Sequence, residues 1–299
     1  MKTVPPPIQN DPNPDADAPF LHQCYTFSAS DHSDGSMVWG SRVDMTRMRA
    51  FLMEKNATAK VFLTPTAVLA RAVGLALAQH PAANCRLLGN RIYQFTQQNV
   101  VLPVTTKCGP RLALLRQVDE HSYEHIAAEL LQEITSEITH STKLSFGQRV
   151  AQMLPPFLRG IGVRTLLWLA NHVRLPMRPI TEHLGGAPVI INHFGFRGAP
   201  PMISYKPSRF GSRSLLLNVT LGPVAQQPAV VENKIVIRPI SGLFVRADHR
   251  TMDGHQLSDF VATIIRILED PATFDETPES TFSNSATSER NGVSSLAIS

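Results

Sequence analysis

Residues 247–254, ADHRTMDG, hold the residue types and spacing that best fit catalysis. A strand-like pattern precedes them, so His249 stands at the C-terminal end of a β-strand, where a side chain can be held rigidly and still face a cleft. An imidazole can act as a general base at neutral pH, because the ordinary pKa of a histidine side chain is about 6.5. Asp253, four residues later, can cap the next helix or pair with an arginine. From the residues alone, a purely structural histidine is the favoured alternative, because this is one of 11 histidines.

Other catalytic and metal-binding patterns are weak. The chain has no HExxH, GxSxG or phosphate-loop motif. Its three cysteines, Cys24, Cys85 and Cys108, form no CxxC pair, so neither a disulfide framework nor a zinc site is indicated. We therefore predict no metal and a reducing, cytoplasmic location.

The net charge of +4 is unevenly distributed. Residues 1–20 carry −2 and residues 269–299 carry −5, which leaves +11 on the remaining 248 residues. A basic body favours an anionic partner, such as a phosphorylated cofactor or a membrane surface. No zinc finger or RNA-binding aromatic pattern occurs, so we predict no nucleic-acid partner.

The elements that must position His249 alternate between helices and hairpins. A long helix is predicted after Thr64, with Pro65 in its first turn and Pro81 beyond its end. An earlier helix would be capped by Asp44 or Thr46. Hairpins are predicted around residues 89–90 and 232–233, and SLLLNVTLGPV is predicted as a buried strand. A closing helix follows the ADHRTMDG segment. Together they predict an α/β fold with a mixed sheet flanked by helices.

The composition divides the chain into a body and two tails. Residues 1–19 are rich in Pro and Asp, and residues 273–299 are rich in Ser and Thr, so both are predicted to be disordered. Residues 20–272 are predicted to form the catalytic domain.

A resemblance to a known protein family indicates a more specific class of function. ADHRTMDG resembles the DHRxxDG motif in the catalytic domain of the 2-oxoacid dehydrogenase (dihydrolipoamide) acyltransferases, which share the looser HxxxDG motif with the chloramphenicol acetyltransferase-like superfamily. The similarity extends over most of residues 37–110 and 186–270, where the early helix, long helix and final hairpin of that family have counterparts.

The resemblance implies a two-layer chloramphenicol acetyltransferase-like sandwich that assembles as a homotrimer. It also implies an active site in a channel between subunits, with coenzyme A or acyl-CoA as one substrate. The other substrate would be a small-molecule acceptor with a thiol, hydroxyl or amine nucleophile. His249 matches the base, and Asp253 matches a mainly structural acid. Asn192 falls where the family has its oxyanion-binding Ser or Thr, and an amide can also donate there. Asn192 is equally compatible with a turn residue at a strand end.

The sequence departs from the family pattern because no lipoyl domain is recognised in it. We therefore expect no covalently bound lipoyl group, and an acyl group that comes from free acyl-CoA or from an acyl or lipoyl carrier protein in trans. Two alternatives to an acyltransferase remain: a catalytically silent trimeric scaffold, and a condensation-type enzyme acting on carrier-bound substrates.

Residues 141–180 are predicted to be a helical insertion that is both basic and apolar, with six basic residues and no acidic one. Such a segment can lie on an anionic membrane surface as a peripheral contact. It can also form a lid over an acyl chain, or pack on the body or a neighbouring subunit.

Overall fold

The computed structural model describes residues 36–88, 91–106, 109–139, 186–195 and 217–275. The predicted insertion at 141–180 and the predicted N-terminal tail lie outside these residues, as does nearly all of the predicted C-terminal tail. Those three predictions therefore stay predictions.

Nine strands lie in the described ranges: β1 (Ser36–Asp44), β2 (Cys85–Leu88), β3 (Arg91–Gln94), β4 (Val100–Thr106), β5 (Gly109–Leu115), β6 (Val189–His193), β7 (Leu217–Leu221), β8 (Ala225–Val231) and β9 (Lys234–Asp248). Seven form one mixed sheet, in which the order is β1-β9-β7-β6-β4-β5 and β8 pairs with the first half of β9. Strands β4, β6 and β7 are mutually parallel, and the remaining pairs are antiparallel. Strands β2 and β3 form a separate hairpin.

Four α-helices are described: α1 (Thr46–Thr58), α2 (Pro65–Gln79), α3 (Tyr123–Thr139) and α4 (Gly254–Glu269). Helix α2 follows its sequence signals, since Thr64 accepts a hydrogen bond from the Ala67 N–H and Pro65 occupies the first turn. Pro81 begins a short 3₁₀ turn beyond its end. No helix of the described ranges is long and apolar enough to cross a membrane.

Helix α1 starts differently from its prediction. Its N-cap is Met45, which makes no side-chain cap. Asp44 does serve the helix start, because its Oδ1 accepts a hydrogen bond at 2.9 Å from the Thr46 N–H. The fully buried Met45 places its side chain in the core, so tertiary packing sets where this helix begins.

Within the described residues, the helices cover one face of the sheet and leave the other face open. Alternate residues of β6, β7 and β9 point to the helices and are buried, including Ile191, Val219 and Val245. Their neighbours along β6, along β7 and within residues 242–246 of β9 point to the opposite face and are only half-buried, except for Thr220. The predicted mixed sheet flanked by helices is confirmed. No helix of the described ranges covers the second face of the sheet.

Gly74 lets helix α2 pack closely against the loop that precedes α3. A Cβ at this position would lie 2.3 Å from Val118 Cγ2 and 2.9 Å from the Asp119 backbone nitrogen. Gly74→Ala is therefore expected to lower the free energy of unfolding by about 1–3 kcal/mol, although alanine is the better helix former. Urea unfolding measures this. Ala78→Gly in the same helix should cost about 1 kcal/mol at most, and an equal or larger loss there would contradict the steric argument.

Candidate active site

The turn after β9 is built around a buried ion pair. The Arg250 guanidinium donates two hydrogen bonds to the Asp248 carboxylate, at 2.8 and 2.6 Å, and both side chains are almost fully buried. The Arg250 backbone N–H donates to the same carboxylate at 3.0 Å. Thr251 then closes the turn by donating its hydroxyl to the Asp248 carbonyl at 2.9 Å.

His249 lies between the two partners of this ion pair and is itself exposed. Because Asp248 and Arg250 are both fixed in the interior, the backbone of His249 has little freedom. The predicted position of His249 at the end of a strand agrees with this geometry, whereas the cleft that it was predicted to face stays a prediction. Its role as the base stays a prediction.

Asp253 caps helix α4, one of the two alternatives that the sequence left open. Its carboxylate accepts a hydrogen bond at 2.8 Å from the Gln256 N–H, and the Gln256 side chain accepts one at 3.0 Å from the Asp253 N–H. This reciprocal pair is a capping box, which fixes the chain where the turn enters the helix. Asp253 thereby supports the position of His249 from the C-terminal side.

The capping role of Asp253 predicts how substitutions behave. Asp253→Ala removes the acceptor and should lower the free energy of unfolding by about 0.5–2 kcal/mol, whereas Asp253→Asn keeps an acceptor and should cost less. Urea unfolding of the two variants measures the difference. A loss of turnover in Asp253→Asn at unchanged stability would instead show a direct part in the chemistry.

Cys85 lies beneath the same turn but cannot serve as a nucleophile. Burial, and secondly the charge of Asp248, raise the pKa of its thiol to about 12. The thiol therefore stays protonated at neutral pH, and only a thiolate attacks efficiently. No group of three or more potential metal-binding side chains is found among the described residues.

The open face of the sheet carries a groove of about 370 Å³. Its apolar lining includes Val38, Ile190, Phe194 and Phe244, and we call it the open-face groove. Pockets of this kind, mostly apolar with a few polar groups, are typical small-molecule sites.

Phe244 forms part of the floor of the groove. Its ring lies over Gly40 on the neighbouring strand and over Gly242 on its own strand, because a Cβ at either glycine would come within 3.2 or 2.9 Å of ring atoms. Gly40 and Phe244 are direct partners in the pairing of β1 with β9. Because neither glycine has a side chain, the Phe244 ring can lie flat against the sheet.

The polar residues of the groove are Asn192, Asn218, Thr220 and Arg246. Asn192 lies within β6, directly opposite Thr220 on β7. Its placement on the open face, in the groove, is compatible with the predicted oxyanion role, which stays a prediction. As a residue within the strand, it does not occupy the turn that the alternative required.

His193, next to Asn192, faces the helix layer. Its Nδ1 lies 3.0 Å from the Thr66 hydroxyl at the start of helix α2. Burial lowers the pKa of this imidazole, so it is neutral at pH 7. His193 therefore joins β6 to α2 and takes no place in the groove.

Within one chain, the fold keeps His249 and Asn192 apart. Asn192 is level with Thr220 and Phe244 across the sheet. His249 is five residues beyond Phe244 and two strands away from β6, which separates the two backbones by roughly 19 Å. A base and an oxyanion donor must both reach one reacting group, so one chain cannot bring these two residues to the same carbonyl.

Comparison with known proteins gives the family. The model of the 2-oxoacid dehydrogenases acyltransferase (catalytic domain) family matches residues 28–146 and 218–274, which is more than half of the chain. The chain belongs to this family. The match contains His249 and Asp253, whereas Asn192 and most of the 141–180 segment lie outside it.

A curated relative of this acyltransferase family is the dihydrolipoyllysine-residue acetyltransferase component of the pyruvate dehydrogenase complex of Zymomonas mobilis. It is 20% identical over 229 residues, which cover 76% of this chain and 42% of the relative. The chain thus spans about two fifths of that protein's length.

Solved structures of acyltransferases share the fold. A probable dihydrolipoamide acetyltransferase from Listeria monocytogenes is 18% identical with a TM-score of 0.55, over 78% of this chain and 84% of that one. The dihydrolipoamide acetyltransferase of Azotobacter vinelandii is 18% identical with a TM-score of 0.57, over 85% and 87%. The cubic core of a pyruvate dehydrogenase multienzyme complex is 17% identical with a TM-score of 0.56, over 85% and 88%. The predicted family, fold class and acyltransferase class are confirmed.

Sequence analysis missed Asn218, Thr220 and the pairing of Asp248 with Arg250. A signal for the first two was present, because Leu-Asn-Val-Thr-Leu alternates apolar and polar residues with the period of a strand. The opposite charges of Asp248 and Arg250, two residues apart, were also visible in the sequence. The burial of this pair, however, depends on the packing of the whole domain.

Proposed function

We propose that this chain transfers an acyl group between a coenzyme A thioester and a thiol of the dihydrolipoamide type, with His249 as the general base and Asn192 as the oxyanion donor. The observation that carries the proposal is His249 itself. It is exposed at the end of β9, fixed by the buried Asp248–Arg250 pair, and lies within the part of the chain that matches the acyltransferase family.

The proposed chemistry moves one proton in two steps. His249 takes the proton of the incoming thiol, and the resulting thiolate attacks the thioester carbonyl carbon, forming a new carbon–sulfur bond. The carbonyl oxygen becomes an oxyanion, which the Asn192 amide stabilises by donating a hydrogen bond. When the old carbon–sulfur bond breaks, the protonated imidazole returns the proton to the leaving thiolate.

The separation of His249 and Asn192 supports a site shared by two chains. His249 of one subunit would enter the open-face groove of the next, and a closed ring of identical contacts gives a cyclic oligomer such as the proposed homotrimer. The fold similarity to a multienzyme core agrees with assembly. The basic body, which carries +11 outside the tails, suits the phosphates of coenzyme A.

The acyl carrier and the setting are also part of the proposal. The acceptor thiol would be free or carried by a lipoyl or acyl carrier protein in trans. A thiol acceptor must remain reduced, which favours a reducing, cytoplasmic setting.

The direct test measures free thiol released from a panel of acyl-CoA esters with dihydrolipoamide as the acceptor. Transfer that depends on both substrates supports the proposal. No turnover with any thioester, from a correctly assembled oligomer, would instead favour the silent scaffold of the same fold.

The shared site predicts complementation between two inactive variants. His249→Ala and Asn192→Ala chains, co-expressed in equal amounts, should form mixed oligomers in which about a quarter of the interfaces keep both residues. Activity should then rise to about a quarter of wild type, well above either variant alone. Separately purified variants, mixed without subunit exchange, are the control. No recovery in confirmed mixed oligomers would place the site within one chain.

A further inference from the structure

The polar residues on the open face are connected to one another. Thr220 donates its hydroxyl hydrogen to Asn218 Oδ1 at 2.8 Å. Asn192 Nδ2 makes a longer contact of 3.4 Å to the same oxygen from the neighbouring strand. The side-chain oxygen of Asn218 is therefore contacted by both neighbouring side chains.

This arrangement orients the Asn218 carboxamide. Since its oxygen accepts from Thr220 and faces Asn192, its NH₂ group lies at the other end and carries two donors. No described residue accepts a hydrogen bond from these donors. Asn218 is half-buried and lines the groove between Ile190 on β6 and Arg246 on β9, its two partners in the strand pairing. The rest of the groove lining is mostly apolar, which strengthens a hydrogen bond made there.

We propose that Asn218 is a second hydrogen-bond donor to the substrate carbonyl oxygen, and that Thr220 is the positioning residue that holds it. The inference rests on the proposed acyl transfer and adds a catalytic residue to it. The Asn192 and Asn218 carboxamides are in contact and both line the groove, so a carbonyl oxygen bound in the groove has donors from both side chains around it. As the thioester carbonyl becomes tetrahedral, its oxygen gains negative charge, and donors fixed beforehand stabilise this charge more than the neutral ground state.

The test compares the steady-state kinetics of Asn218→Ala, Asn218→Asp and Thr220→Val with wild type, using acetyl-CoA and dihydrolipoamide. Removing one oxyanion donor typically costs about 10²–10³-fold in kcat, so Asn218→Ala should lower kcat by about that factor with little change in KM. Asn218→Asp keeps the shape but replaces the donor by an acceptor, and should be at least as impaired. Thr220→Val keeps the donor but releases its orientation, so its kcat should fall less.

The controls separate this inference from the proposed function. Gln132→Ala removes an exposed carboxamide on helix α3, away from the groove, and should leave kcat unchanged. If wild type is active, His249→Ala is inactive and Asn218→Ala matches wild type, the inference fails while the proposed function stands. An increase in KM alone would also overturn it, because it would show ground-state binding only. Should Asn218→Ala fold poorly, the isosteric Asn218→Asp decides by the same criterion.

Discussion

His249→Ala is expected to lower kcat by about 10²–10⁴-fold, the usual contribution of a positioned general base. Without an imidazole, the incoming thiol must lose its proton to water, and at neutral pH only a small fraction of a thiol is ionised. The fold should be intact, because His249 is exposed while its neighbours Asp248 and Arg250 hold the turn. Initial rates of thiol release from acetyl-CoA measure the effect.

A histidine in the first turn of helix α4 offers a matched control for His249→Ala. His255 lies six residues later, its side chain is 86% exposed, and its imidazole is 3.8 Å from Asp259. His255→Ala should retain wild-type turnover, which separates the loss of a base from the loss of an exposed imidazole in general. Equal rates for His249→Ala and wild type would remove His249 from the mechanism.

Arg250→Met is expected to produce the largest loss of stability among these variants, about 3–5 kcal/mol. The substitution leaves the Asp248 carboxylate buried without its counter-charge, and breaking a buried pair on one side typically costs this much. The double variant Asp248→Leu, Arg250→Met removes both charges and should recover part of the loss. Urea unfolding at fixed protein concentration compares the three, because assembly couples to folding.

An exposed ion pair elsewhere in the chain provides the reference. Arg47 contacts Asp270 at 2.7 Å, with its side chain 73% exposed. Arg47→Met should change the free energy of unfolding by less than about 1 kcal/mol, because water and salt screen such pairs. If Arg250→Met costs no more than Arg47→Met, the buried pair does not hold the turn around His249.

Local sequence signals predicted the elements around the site well. Thr64 and Pro65 predicted the start of helix α2, and residues 232–233 predicted the turn between β8 and β9. Glu232 and Asn233 both adopt positive φ there, at 49° and 59°, as a two-residue hairpin turn requires. Asp253 predicted the cap of α4. Each of these signals acts within a few residues, so it can be recognised without knowledge of the fold.

The contents of the groove depend on pairings that no local signal determines. Asn192 and Thr220 are neighbours because β6 and β7 pair in parallel in one particular register. In the sequence, 27 positions lie between the two residues. The prediction that Asp44 or Thr46 caps helix α1 was wrong for a similar reason, since the burial of Met45 sets that helix start. The sequence predicted the strand that contains Asn218. That the polar residues of this strand line a groove follows only from its pairing with β6.

Phe244 links the size of the groove to the integrity of the sheet. Its ring covers the backbone of Gly40 and Gly242, two positions that have no side chain of their own. A smaller residue at 244 would deepen the groove for a bulkier substrate, and it would also admit water to the peptide groups that join β1 to β9. A lineage that broadens its substrate range through this position must therefore strengthen that edge of the sheet by another change, so the two traits would evolve together.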